Sequence, residues 1–189
     1  MPLTASPEYR EWRELVARLA ASPVPLLQEP GAGDRRVRVF SRTRPDSLFP
    51  GARSAAGALA GILLMSGCWT EAHDTANDLH TAEGSYWHAL VHRMEPDTWN
   101  SNYWFRKVGY HALFPKLLDE ARAIAGGLND AGAKWFPLGQ RWDPERFNAL
   151  CDQARTSADG NFVKAVEEIH TAEVHLLWEW CVAGGDTIG

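Results

Sequence analysis

The segment Ala55–Ser66, AAGALAGILLMS, constrains the fold more than any other stretch of the chain. It is small and apolar on every side, the composition of a helix surrounded by other helices. Even extended to Trp69 the apolar run is too short and too glycine-rich to span a bilayer, so it is expected to be a buried helix. Such a helix needs amphipathic partners, and the flanking sequence offers them. Ser6-Pro7-Glu8 is a helix start, with Trp12, Leu15, Val16 and Leu19 following at helical spacing up to a stop before Pro23. Asp143-Pro144-Glu145 repeats that start and predicts a helix to about Arg155. Pro115 begins another that ends at Gly126-Gly127, and the last runs from about Asn161 to Val182.

Between these lie less regular pieces. Residues 23–53 hold five of the eleven prolines and the arginines 35, 36, 38, 42, 44 and 53, and they read as an irregular connection with a short extended piece at Val37–Phe40. Trp69–Thr81 continues helically with a polar stripe of His73, Asn77 and His80. Gly84-Ser85 looks like a break and a new N-cap for a helix over Tyr86–Met94. Pro96-Asp97 ends that helix, and WNSN (99–102) is expected to be a loop. No alternating strand pattern is present. The expected fold is all-α: a single-domain helical bundle over residues 1–189 with an irregular Arg/Pro-rich N-terminal connection.

Composition narrows the function classes. A net charge of −5 gives no global attraction to nucleic acid, and no membrane segment is evident. The arginine run is either an anion-facing patch or a solvated face. Cys68, Cys151 and Cys181 are odd in number and widely spaced. That argues against a disulfide framework or thiolate zinc site and, with no apolar leader in MPLTASPEYREW, favours a cytoplasmic protein.

The chemistry concentrates between Gly84 and His111. His88, His92 and Glu95 form an H-x3-H-x2-E run on one helix face, and His73 lies on the preceding polar stripe. These four are candidate ligands for a divalent metal, zinc, iron or manganese. His88, His92, Glu95 and Asp97 are also the candidate catalytic groups for proton transfer. The same histidines equally suit a core of buried, hydrogen-bonded imidazoles. Arg93, Asn100, Tyr103, Trp104, Arg106, Trp87 and His111 make a second constellation, candidate ligand-binding groups for an anion or a planar ring. Its alternative is an internal Arg–Asp network with tryptophans as packing. No nucleophile elbow and no phosphate-cradling glycine loop is present.

The stretch YWHALVHRMEPDTWNSNYWFRKVG (86–109) resembles an uncharacterised family of bacterial and fungal proteins with the pattern YWHAxxHRxExDxxNxxYWFRxxG. Every element is present, and Glu71 and His73 fit the helix that precedes it. The resemblance marks the same patch and implies no reaction, cofactor or partner. The expectation is therefore an enzyme or binding protein for a small polar or anionic metabolite, with a His/Glu/Arg/aromatic pocket and a possible metal. The alternatives are a non-catalytic ligand-binding module and a structural or oligomerisation domain.

Overall fold

A computed structural model describes residues 7–26, 33–127 and 139–184, and among these the chain is all α-helical without a strand. Ten α-helices occur there: α1 (Pro7–Ala20), α2 (Arg35–Arg38), α3 (Pro45–Leu48), α4 (Ala55–Met65), α5 (Trp69–Asn77), α6 (Ala82–Met94), α7 (Thr98–Val108), α8 (Phe114–Gly126), α9 (Pro144–Thr156) and α10 (Gly160–Val182). None is long and apolar enough to cross a membrane.

Helix α4 is the axis. Ala55, Ala58, Leu59, Ala60, Ile62, Leu63 and Leu64 are all buried, and α1, α5, α6 and α10 pack round it. Its glycines decide how closely those neighbours approach. A Cβ at Gly61 would lie 2.7 Å from the Trp87 ring of α6 and 2.9 Å from Trp178 of α10. The two indoles thus occupy volume that a side chain on α4 would take, and burying rings of that size contributes about 2–3 kcal/mol each.

Helix starts follow local chemistry. Ser54, Asp143 and Asp159 each accept a backbone N–H in the first turn of α4, α9 and α10. The expected cap Ser6 lies outside the described residues, but α1 begins at Pro7 and buries Trp12, Leu15 and Val16 as its spacing demands. Trp12 meets Phe40 at 4.4 Å and Phe49 at 5.8 Å between centroids, which fastens the connecting segment to the bundle.

Four local expectations need correction. The Val37–Phe40 piece is not extended: α2 runs into a 3-10 turn over Val39–Arg42, started by Asp34, whose side chain accepts from the Arg36 N–H. α5 stops at Asn77 rather than Thr81. Gly84-Ser85 is not a break, because Thr81 is the cap and its Oγ1 accepts from the Gly84 N–H at 3.2 Å. WNSN is helix rather than loop, because Asp97 caps α7 through the Asn100 N–H at 3.1 Å. In both of the last two cases a capping oxygen in the turn overrides residues with poor helix propensity.

The tight α5–α6 turn also explains Gly84. A Cβ there would fall 1.8 Å from the carbonyl oxygen of Leu79, a backbone atom that cannot swing aside. Gly84→Ala is expected to destabilise the protein by about 2 kcal/mol or more through displacement of this turn. Urea unfolding midpoints of the two proteins check this, and equal midpoints would exclude such a close approach.

Candidate functional site

Two antiparallel neighbours, α5 and α6, carry the polar groups that meet. His73 comes from α5, while His88 and His92 stand one turn apart on α6. Ligand nitrogens of these three side chains lie within 4.8 Å of one another. The ring centroids are 4.2 Å apart for His73–His88, 5.3 Å for His73–His92 and 4.9 Å for His88–His92. Nitrogens bound at about 2.0–2.1 Å to one tetrahedral ion lie about 3.4 Å apart, so closing the set needs a movement of at most about 0.8 Å per ring.

The charge state suits ligation. Burial, then His73, His92 and Lys107, pushes the His88 imidazole down to about 3, so it is neutral near pH 7. Burial also lowers His92, against the opposing pull of Glu95. Glu95 Oε2 lies 3.1 Å from His92 Nδ1, which makes that nitrogen the donor and leaves Nε2 with its lone pair. His88 Nδ1 is buried and has no hydrogen-bond partner, a condition it shares with His170 Nε2 and His175 Nε2, which lie outside the cluster. The His88 ring itself is clamped, stacked on Trp104 at 3.8 Å and 16°.

The sequence-derived candidates therefore divide. His73, His88 and His92 come together, with Trp104 against them and Glu95 behind His92. Asp97 and Asn100 are spent on the start of α7, where Asn100 Nδ2 donates to Asp97 Oδ2 at 3.3 Å. Tyr103 is exposed and lies parallel to exposed Trp99, 6.2 Å between centroids. Arg106 is on the surface, in a two-pronged pair with Glu145 at 3.0 Å for both contacts. Trp87 turns toward Gly61 and the core. His111 is buried among Tyr86 and Trp180, with Nδ1 accepting from the Leu113 N–H. Asn77 and His80 of the polar stripe are exposed and do not meet the cluster.

Arg93, the neighbour of His92, points to the opposite side of α6. It is buried and paired through Nη1 with Glu173 of α10, and its Nε donates to Asn148 Oδ1 of α9 at 2.6 Å. Tyr86 donates to the other Glu173 oxygen at 2.7 Å. Asn148 donates in turn to Ser101 Oγ at 2.8 Å, and Arg155 reaches the Arg93 carbonyl at 2.7 Å. The guanidinium also sits between the Phe105 and Phe147 rings, 5.1 and 4.9 Å from their centroids. Sequence reasoning missed Glu173, Asn148, Ser101 and His170. Their signal was a set of polar residues on otherwise apolar helix faces, such as Glu173 four positions after Ile169 and four before Leu177.

No protein-family model matches this chain, and neither does any curated protein or solved structure.

Breaking the Arg93 pair from one side is expected to be severe. Glu173→Ala leaves a buried guanidinium without its counter-ion and should cost about 3–5 kcal/mol, read as a fall in the urea midpoint. A variant unfolding within 1 kcal/mol of wild type, as an order-of-magnitude limit, would show that the pair is not sealed from water.

His170 gives a pH prediction. Its burial, reinforced by Arg93 and Arg155, holds its titration well below 6.5. The unfolded chain takes up a proton as pH falls through about 6.5, while the folded chain does not. Stability is thus expected to be flat above about pH 7 and to fall below about 6.5, by up to about 1.4 kcal/mol per pH unit for this histidine. Unfolding midpoints at pH 7.5, 6 and 5 test the sign.

Proposed function

We propose that this protein binds one divalent transition-metal ion through His73, His88 and His92 and uses it in an enzymatic reaction on a small polar or anionic metabolite. The observation that carries this reading is the convergence of three imidazoles within 4.8 Å, one of them buried and without any hydrogen-bond partner on Nδ1. An all-nitrogen set suits zinc best, iron less and manganese least, because manganese favours oxygen ligands. Glu95 is then assigned to orienting His92 and raising its basicity rather than to direct ligation.

Three protein ligands on a zinc ion leave a fourth position for water, whose pKa falls to about 7 in such sites. The chain's own contribution is to hold the His88 imidazole neutral by burial, to fix His92 through Glu95 and to wall one side with Trp104. Asp97, whose charge acts on His92, adds negative potential near the same ring. A second reading, ligand binding without turnover, is favoured by the exposed parallel pair Trp99 and Tyr103, which offers a stacking surface beside Trp104. Turnover separates the two readings.

Protein purified without a histidine tag is expected to carry about one equivalent of zinc by elemental analysis. His88→Ala and His92→Ala should both reduce this to a trace. Glu95→Gln should weaken zinc affinity by about 10–100-fold without abolishing it. Wild-type protein that takes up no zinc, cobalt or iron on titration would remove the metal reading.

A further inference from the structure

The arginine-rich segment flagged in the sequence is not a featureless solvated loop. Arg35, Arg38 and Arg42 stand at i, i+3 and i+7 along α2 and the 3-10 turn, so one face carries three guanidinium groups. That face borders a cleft of about 460 Å³, whose wall also includes Val39, Glu71 and Asp74. The volume lies within the range of small-molecule sites.

The face is held in place. Val37 is buried beneath it, the Asp34 N–H donates to the Ser66 carbonyl at 3.0 Å, and Arg38 Nε reaches Glu71 Oε1 at 2.6 Å. Glu71 is thereby matched to Arg38. The side chains of Arg35 and Arg42 show no ion pair or hydrogen bond to another described residue. Three guanidinium groups against two carboxylates leave the cleft net positive.

The far wall of the cleft touches the histidine cluster. Asp74 lines the cleft, and its carboxylate lies 3.7 Å from Nδ1 of His73, the most exposed of the three histidines. Asp74 is thus the residue that joins the cleft to the histidine cluster.

We propose that this cleft is the substrate subsite of the metal centre and takes a small oxyanion, the phosphate or carboxylate group of a metabolite, on Arg35 and Arg42, with Arg38 braced by Glu71. The forked geometry of arginine fits both groups. The proposal rests on the metal reading for its role in a reaction, while the anion site itself stands on the arginine face alone.

The experiment is calorimetric titration of the zinc-loaded full chain with inorganic phosphate and, separately, with acetate. At least one is expected to bind, and the stronger of the two identifies the oxyanion. Arg35→Gln/Arg42→Gln should weaken that binding at least tenfold while zinc content and far-UV circular dichroism stay unchanged. Arg35→Lys/Arg42→Lys, which keeps the charge and loses the fork, should fall between them. Equal binding by wild type and the glutamine pair overturns the proposal, as does binding of neither anion. Should wild type take up no metal, the metal reading fails alone. The same titrations on metal-free protein then decide the cleft, with arginine-dependent binding upholding it and its absence overturning it.

Discussion

One buried ion pair, Arg93 with Glu173, sets the orientation of the helix on which the candidate site depends. Neither group is accessible, so each must find its partner inside the protein or cost several kcal/mol. Burial works against the Arg93 charge, and Glu173 with Cys151 and Tyr86 outweighs it, holding the guanidinium above its usual value. The same Glu173, together with burial, raises Tyr86 well above the ordinary phenol range, so Tyr86 is a neutral donor to it. Tyr86 and Arg93 are seven residues apart on α6 and present one face to α10. Fixing that face fixes the rotation of the whole helix. His88 and His92, on a different face, are thereby turned toward His73 of α5.

The residues of the 84–111 segment thus divide between an internal network and a histidine cluster. Arg93 belongs to an internal network with Asn148 and Ser101, the alternative that the arginine–aromatic pattern left open. Arg106 braces α7 against α9 through Glu145 at the surface. The histidines form a separate cluster on another face of α6. One helix can serve both because residues 92 and 93 differ by about 100° around the axis, enough to place adjacent side chains in unconnected environments.

Much of the architecture was legible in the residues. The all-round apolarity of Ala55–Met65, the proline-led starts of α1, α8 and α9 and the stripe of Trp12, Leu15 and Val16 are local signals, and local interactions determine those elements. The errors fell where a single cap competes with unfavourable composition. Thr81 starts α6 through Gly84-Ser85, and Asp97 starts α7 through Trp99-Asn100-Ser101-Asn102. The site was legible in part, since His88 and His92 share a face by spacing, whereas the arrival of His73 depends on the length of the α5–α6 turn. The partners of Arg93 were hidden, because Asn148 and Glu173 lie 55 and 80 residues away and no periodicity links them. The tetrapeptide HTAE occurs twice, at His80–Glu83 and His170–Glu173, and its two copies do different things. The first supplies the Thr81 cap and a Glu83 acceptor for Trp180 Nε1, the second His170 and Glu173 for the Arg93 network.

The two polar faces of α6 also differ in how burial is resolved, and that difference separates scaffold from site. Around Arg93 a charge is buried and matched by Glu173, which offsets its desolvation within the protein although Nη2 has no hydrogen-bond partner. Around His88 burial is resolved by loss of charge, leaving a ring nitrogen that the fold itself does not satisfy. A neutral imidazole clamped against Trp104, with two more imidazoles in reach, is destabilised relative to one with a partner. A cation bound there would draw on that unmet bonding capacity, whereas a cation near Arg93 would meet a guanidinium already paired.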